Sequence, residues 1–404
     1  MLASLPSLRT ILFRLHWLLG LTAGLVLALV GVTGALLSYE EALTDLADRD
    51  RMTVTARETP LLSPEALVAR VEAQGPGRTV GAIVLSDAPS ASIRVRFARD
   101  PKGGARAASV YADPYDGTVL GPVRLEGTFA TIRALHRWLL IPGDGKGWGR
   151  SITGACTLAL LAFLASGLYL RWPQIHRWRI WLKPSLSRPG RPRWWSLHAV
   201  VGTWVLPVYL VIALTGLTWS YDWFKDGANR LLTGKPTETA GEAPRMREGG
   251  RKAGAGEPSP KRPAGALDRA LAAFQSGEGH EAALSVVTLP GPEGKAIRIR
   301  WIAKGDAPGA RNEARFDAAT GAPLAASRDA DLTLGERIAG NMLEVHRGRF
   351  FGEAFALVFC LAALLMPGFA ATGLTLYVLR RRARSRRNAA ARAPVATGGA
   401  RTVS

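Results

Sequence analysis

Four long apolar runs constrain the fold of this chain more than any other feature. They cover residues 15–38, 152–170, 197–220 and 351–379, and none has an interior Lys, Arg or Asp. About 20 mostly apolar residues are needed for a helix to cross a bilayer. The sequence therefore predicts a membrane α-helical protein built on a four-transmembrane-helix bundle.

The runs divide the 404-residue chain into helices and connecting segments. The first run is expected to be a retained helix, because it is long for a secretory signal and no small-residue cleavage site closes it convincingly. The predicted transmembrane helices cover 9–38, 148–172, 196–222 and 351–379. The predicted connecting segments are two outer modules, 39–147 and 223–345, a basic loop, 173–195, and a basic tail, 380–404.

The distribution of charge predicts an orientation in the membrane. The net charge is +20, yet the basic residues concentrate in residues 171–193, where no acid occurs, and in residues 380–387. The first run instead leads into Glu40, Glu41 and Asp45. By the positive-inside rule both termini and the basic loop face the cytoplasm, and the outer modules face the periplasm. Topology thus accounts for the net charge without nucleic-acid binding.

An internal repeat organises the helices. His16 and Gly20 of the first run recur as His198 and Gly202 of the third, at an offset of 182 residues. The second and fourth runs match more loosely, with one histidine shortly before each. The chain is therefore interpreted as a duplication of a helix, an outer segment and a second helix.

The outer segments repeat as well. Each contains a short helical pattern followed by an alternating strand and a turn rich in Asp and Gly, which predicts two small α+β modules. The predicted helices cover 63–74 and 266–276, the strands 92–97 and 296–301, and the turns 110–117 and 314–321. Residues near 234–264 are rich in Pro, Gly and charge without apolar periodicity, which predicts a poorly ordered insertion in the second module.

The histidines are the strongest candidates for chemistry. Four of the six, His16, His198, His136 and His346, occupy corresponding positions in the two repeats. The topology places His16 and His198 near the cytoplasmic face and His136 and His346 near the outer face. A metal on a pseudo-twofold axis would receive one imidazole from each repeat, which is the symmetry of bis-histidine haem.

Basic residues stand beside each of these histidines. Arg14, Arg193, Arg137 and Arg347 could pair with haem propionates, because guanidinium forks match carboxylates. They could equally be ordinary positive-inside or lipid-headgroup charges.

The remaining candidate ligands are weaker. His176 and His280 are interpreted as solvent-exposed or headgroup-contacting, and no compact set of three or four ligands supports zinc. Cys156 and Cys360 fall inside apolar runs and are expected to be small buried residues.

In these residues the chain resembles the PepSY-associated transmembrane family, also described as iron-regulated membrane proteins or siderophore-iron reductases. The resemblance covers nearly the whole chain. It rests on Arg14, His16 and Gly20; on residues 135–140; on Trp195, His198 and Gly202; on Glu344, His346 and Gly348; and on the two outer modules. The resemblance implies an inner-membrane protein with two bis-histidine haem b groups that passes electrons outward, in some members to a ferric siderophore. No cytoplasmic flavoprotein domain is evident, which implies a separate cytoplasmic reductase or a membrane quinol as donor.

Two other functions remain open on the sequence. The PepSY-like modules could bind peptides, restrain a periplasmic protease or scaffold a complex, with purely structural histidines. A transporter would require intramembrane carboxylates or helices broken at mid-depth, and Pro207 and Pro367 hint at such breaks.

Overall fold

The fold is described from a computed structural model. It describes residues 6–99, 107–143, 145–172, 177–235, 263–291, 294–307 and 309–392. The insertion expected near 234–264 lies largely outside these residues, and His176 lies outside them as well.

The described residues form α-helices and one β-sheet. The helices are α1 (Leu8–Ser38), α2 (Glu40–Ala47), α3 (Pro64–Ala73), α4 (Glu126–Trp138), α5 (Trp148–Arg171), α6 (Trp178–Leu182), α7 (Arg191–Ser220), α8 (Asp222–Thr233), α9 (Ala266–Ser276), α10 (Leu334–Gly340), α11 (Met342–His346) and α12 (Glu353–Arg392). The strands are β1 (Val80–Ser86), β2 (Ile93–Phe97), β3 (Val110–Ala112), β4 (Val119–Pro122), β5 (Ala282–Thr288), β6 (Ala296–Ala303), β7 (Asn312–Asp317) and β8 (Pro323–Ser327).

The chain divides into two compact units. The membrane unit consists of the described residues of Met1–Ala35, His136–Leu217 and Cys360–Ser404. The sheet unit consists of those of Leu36–Leu135 and Thr218–Phe359.

Helices α1, α5, α7 and α12 are long and apolar enough to cross a membrane. Much of their apolar surface points outward; Leu25, for example, is 75 % exposed. So large an apolar surface is suited to lipid rather than to water. Helices α7 and α12 continue through Pro207 and Pro367, so neither helix is broken where the transporter reading required it. The chain is a multi-pass membrane protein.

The four helices of the membrane unit pack through small residues and a few larger ones. Gly31 of α1 lies so close to the carbonyl of Ala363 on α12 that a Cβ would collide with it. Tyr209 of α7 is buried in the same core and donates its hydroxyl to the carbonyl of Ala362, at 2.7 Å. Such small-residue contacts let helix backbones approach where lipid gives no hydrophobic driving force. Cys156 and Cys360 are both buried, as expected.

The sheet unit contains one eight-stranded antiparallel sheet in the order β4-β3-β2-β1-β5-β6-β7-β8. The expected α+β elements are present, with α3 and α9 as the two short helices. The sequence did not indicate that the two modules share one sheet. They join where β1 pairs with β5, with Ile83 opposite Val287.

One face of the sheet forms the core of this unit together with α3 and α9. Ile83, Val95, Val287 and Ile299 on this face are fully buried. The two expected turns have the same form, because in each the amide of the closing glycine donates to the carbonyl of the leading aspartate: Gly117 to Asp113 and Gly321 to Asp317. Both glycines have positive φ, 74° and 78°, a conformation that favours glycine.

Candidate functional site: a histidine pair in the membrane unit

The membrane unit brings His16 of α1 and His198 of α7 together. Their ring centroids are 6.3 Å apart and the ring planes make an angle of 74°. Each histidine lies one turn before a glycine of its helix, Gly20 or Gly202. A Cβ at Gly20 would meet no other atom within 4 Å, and one at Gly202 would meet Phe369 at 3.5 Å. The pair therefore lies beside space that larger side chains would narrow.

A hydroxyl on α5 orients the ring of His16. Ser166 Oγ lies 2.8 Å from His16 Nδ1 and donates its own proton to the carbonyl of Ala162, at 2.5 Å. A hydroxyl has one proton to give, so the contact requires Nδ1 of His16 to be the donor. This tautomer leaves the lone pair on Nε2.

The ring of His198 is held in the same way by α12. Its Nδ1 lies 2.8 Å from Thr372 Oγ1, which donates to the carbonyl of Gly368 at 2.7 Å. Nδ1 of His198 is again the donor, and Nε2 again carries the lone pair. Both imidazoles are therefore fixed in the form that binds a metal.

Aromatic and small residues complete two matching pockets. Phe163 meets the edge of His16 and Phe369 meets the edge of His198, each with ring centroids 5.3 Å apart. A Cβ on Gly167 would lie 3.5 Å from Cε1 of His16, and one on Gly373 would lie 3.9 Å from Cε1 of His198. Every one of these supports on α5 recurs on α12 at an offset of 206 residues.

The separation of the two rings fits an axial pair of haem ligands. A metal–imidazole bond is about 2 Å long and the ligating nitrogen lies about 1.1 Å from the ring centre, so two axial imidazoles hold their centroids about 6.2 Å apart. The observed 6.3 Å agrees with that value. Partly buried imidazoles with a fixed tautomer are also the donor type that haem iron takes.

His136 also belongs to the membrane unit, at the end of the short helix α4. Its Nδ1 donates to the carbonyl of Val30 and lies 3.0 Å from both that oxygen and Thr33 Oγ1. Gly34 lies against the ring, since a Cβ there would be 3.0 Å from Cε1. Burial lowers the pKa of His136 to about 4, so the ring is neutral at physiological pH.

The short helix α4 packs against the start of α5, whose second residue is Gly149. A Cβ on Gly149 would collide with the carbonyl of Trp138, the last residue of α4. The glycine therefore permits the close approach that sets His136 beside α1.

His346 belongs to the sheet unit, at the end of α11. Its ring meets the edge of Trp219 at 5.3 Å. The next residue, Arg347, is 10 % exposed and pairs with Glu41 at 3.0 Å and more distantly with Glu344 at 3.9 Å. His136 and His346 thus fall in different units, and each is described within its own.

Comparison with known proteins identifies the family. The family model described as the PepSY-associated TM region matches residues 13–380. The chain belongs to this family. Membership, with the four apolar helices, indicates a multi-pass membrane protein of the iron-regulated type. No curated protein matches the chain significantly.

The other basic candidates of this PepSY-associated protein occupy varied surroundings. Arg14 and Arg137 are exposed, and the guanidinium of Arg137 lies 5.2 Å from the ring centre of Trp138. Arg193 is exposed and donates to the carbonyl of Leu186. The side chain of His280 is 61 % exposed, as expected for a surface residue.

Sequence reasoning missed the residues that orient the rings. Ser166 and Phe163 lie on α5, and Thr372 and Phe369 lie on α12. Their common offset of 206 residues, beside histidines offset by 182, was a usable signal. This offset identifies Ser166 and Thr372 when one looks for a polar residue on the helix that faces each histidine.

Proposed function

We propose that this protein is an inner-membrane electron-transfer protein that holds two haem b groups between paired histidines. The observation that carries the proposal is the pair formed by His16 and His198, at the ring separation of an axial ligand pair and with both rings fixed for metal binding. Haem, when bound there, supplies a one-electron couple whose potential depends on its axial ligands and surroundings.

The residues of the inner site have distinct roles in this proposal. His16 and His198 would hold the iron through Nε2, and Ser166 and Thr372 hold the tautomer and the ring orientation. Phe163 and Phe369 exclude water from the rings, which lowers the local dielectric constant. Arg14 and Arg193 are the candidates for pairing with propionates on this side.

The second site of the proposal rests on the repeat in the sequence. His136 and His346 would be its axial ligands, and Arg137 and Arg347 its basic neighbours. The side chain of His136 supports this role, since its Nδ1 is a donor and its ring is buried and neutral. Arg347 would share its guanidinium with Glu41.

The direction of transfer follows from the proposed orientation, with both termini and the basic loop in the cytoplasm. Electrons would enter from a cytoplasmic reductase or a membrane quinol at the inner site. They would leave to a periplasmic acceptor, for which a ferric siderophore is the proposed class. The protein would then be a ferric-siderophore reductase-like oxidoreductase acting in iron uptake.

One observation favours a second candidate, in which the sheet unit binds a periplasmic peptide or protease. β8 lies at the edge of the sheet and all five of its residues are exposed. An exposed edge strand can accept an added strand from a peptide. This candidate leaves the matched supports around the two histidines unexplained.

An absorption spectrum of the purified full-length protein, before and after dithionite, tests the first candidate. We expect the sharpened, split bands of six-coordinate low-spin haem on reduction. His16→Ala or His198→Ala should remove one of two haems, whereas His280→Ala, on the surface, should remove none. Protein with no haem bands, or variants at His16 and His198 with unchanged haem content, would overturn the proposal.

A further inference from the structure

The face of the sheet opposite its core carries a cluster of arginines. In the register of the sheet, Val84 pairs with Arg94 and with Val286, and Val286 pairs with Arg300. This row therefore crosses four strands with an arginine at each end. The next row has the same form, running from Arg96 through Ala82 and Thr288 to Arg298.

The four arginines form the two sides of a shallow trough, here called the arginine trough. Arg94 and Arg96 stand on β2, Arg298 and Arg300 stand on β6, and the two strands between them are β1 and β5. Three strand spacings separate the sides by about 14 Å, and two residues along a strand give a length of about 7 Å. Arg94 and Arg96 correspond to Arg298 and Arg300 at an offset of 204 residues.

The floor of the trough is mostly apolar and partly exposed. Ala82 and Val84 of β1 and Val286 of β5 form it with Thr288, and all but Ala82 remain partly exposed. Leu284, on the same face, is 39 % exposed. Among the described residues the open part of this face lies over β1 and β5, since Tyr111 of β3, which pairs with Arg94 on the same face, is buried.

The positive charge of the trough is only partly balanced. Glu313 pairs with Arg300 at 2.9 Å and with Arg315 at 3.0 Å. Burial raises the pKa of Asp45, and the nearby charge of Arg94 opposes this shift. The Nε atoms of Arg94 and Arg298 are buried and have no hydrogen-bond partner. Burial, and then the like charges of Arg300 and Arg315, lower the pKa of Arg298.

Without a bound anion, this arginine cluster lowers the stability of the folded protein. Half-buried like charges repel in a medium of reduced dielectric constant, and buried guanidinium donors without acceptors lose the hydrogen bonds they make in water. A bound carboxylate offsets both costs, because its two oxygens accept from the guanidinium fork.

We propose that the arginine trough is a binding site for a compact polycarboxylate, whose carboxylates pair with arginines on both sides and whose carbon skeleton lies on the apolar floor. The small dimensions favour a small molecule over an extended chain. The apolar floor and the separation of the sides favour separated carboxylates over a single phosphate. This inference is independent of haem binding.

Calorimetric titration of the full-length protein in detergent, with citrate as the probe, tests the site. We expect saturable citrate binding that the double variant Arg94→Gln/Arg298→Gln weakens about tenfold or more, since charge-assisted bidentate pairs are lost. Arg99→Gln is the matched control, because Arg99 is exposed just beyond the end of β2, and it should bind as the parent does.

Further arms of the experiment separate the alternatives. The double variant Arg94→Lys/Arg298→Lys keeps the charge without the fork and should bind with intermediate affinity, which guards against a Gln variant that fails to fold. Inorganic phosphate should bind more weakly than citrate. The proposal is overturned if citrate does not bind, if the Gln and control variants bind it equally, or if a hexaglutamate peptide or phosphatidylglycerol vesicles bind at the arginines in preference to citrate.

Discussion

The hydroxyl of Ser166 lies 2.8 Å from Nδ1 of His16, and because it already donates to its own helix it can only accept from the ring. In metal sites, loss of the group that bonds to the second nitrogen of a ligating histidine commonly lowers metal affinity or activity about 10- to 100-fold. The same relationship joins His198 to Thr372. The two membrane helices that carry no histidine of this pair, α5 and α12, therefore orient its rings.

If His16 and His198 hold haem as proposed, Ser166→Ala should weaken its retention or shift its midpoint potential, because the ring of His16 loses its acceptor. Thr372→Val should do the same through His198. Haem content and a redox titration of the purified protein measure both effects. Thr375→Val is the control, since Thr375 bonds only to its own helix, at Ala371. Equal potentials and haem contents in all variants would contradict the assigned role.

Gly34→Val should displace His136 and remove one of the two proposed haems, because even a Cβ at this position would lie 3.0 Å from Cε1. Gly34→Ala should have a smaller effect in the same direction. Gly24→Ala, on the same helix, is the control, because no atom lies within 4 Å of its Cβ. Haem content by pyridine haemochrome assay compares them, and an unaffected Gly34→Val protein would exclude the packing described for His136.

Ile83→Ala should lower the free energy of unfolding of the sheet unit by about 2–5 kcal/mol, because Ile83 is fully buried where the two halves of the sheet meet. Leu284→Ala, on the open face, should cost about 0.5 kcal/mol or less. Pulse proteolysis of the full-length protein across a urea series measures the difference. Equal midpoints for the two variants would contradict the position of the core.

Glu336→Gln should lower thermal stability at neutral pH but not at strongly acidic pH. Glu336 pairs with Lys235 at 2.7 Å and closes a capping box with Thr333 at the start of α10, and these bonds lower its pKa from 4.5 to about 2. A carboxyl group whose pKa is lower in the folded state stabilises the fold at any pH above its pKa in the unfolded state. This stabilisation is lost as the pH falls through the pKa of the folded state.

Melting curves from pH 7 to pH 2 test this expectation. The difference between parent and Glu336→Gln should be constant down to about pH 4.5 and then shrink toward pH 2. Glu281→Gln is the control, because its carboxylate is 68 % exposed and its ion pair with His280 is long, at 3.7 Å. A difference that grows on acidification would contradict the assignment.

The sequence predicted those features that depend on local pattern. Apolar runs gave the membrane helices, a short periodic segment gave α9 at Ala266–Ser276, and the Asp and Gly of two turns gave their hairpins. The pairing of β1 with β5 has no such local signal. It joins residues about 200 positions apart, and the sequence of neither strand indicates which strand it pairs with.

In the candidate site, too, local sequence pattern predicted some residues and not those whose role depends on tertiary contacts. His16 and His198 were found because a sequence pattern recurs at an offset of 182 residues and because histidine is a chemically distinctive residue. Ser166 and Thr372 are ordinary membrane-helix residues by composition, since their hydroxyls can bond to their own backbone. Their role depends on which helix faces each histidine, which is a tertiary property.

The pairing of β1 with β5 also means that the sheet can be completed only late in synthesis. When β1 leaves the ribosome its partner strand is still about 200 residues away, and the apolar helices α5 and α7 must be made in between. Until then the first half of the sheet has an open edge, which is prone to pairing with the wrong chain. A chain that stalls before Ala282 would therefore be expected to need chaperone protection or degradation, even with its first three membrane helices complete.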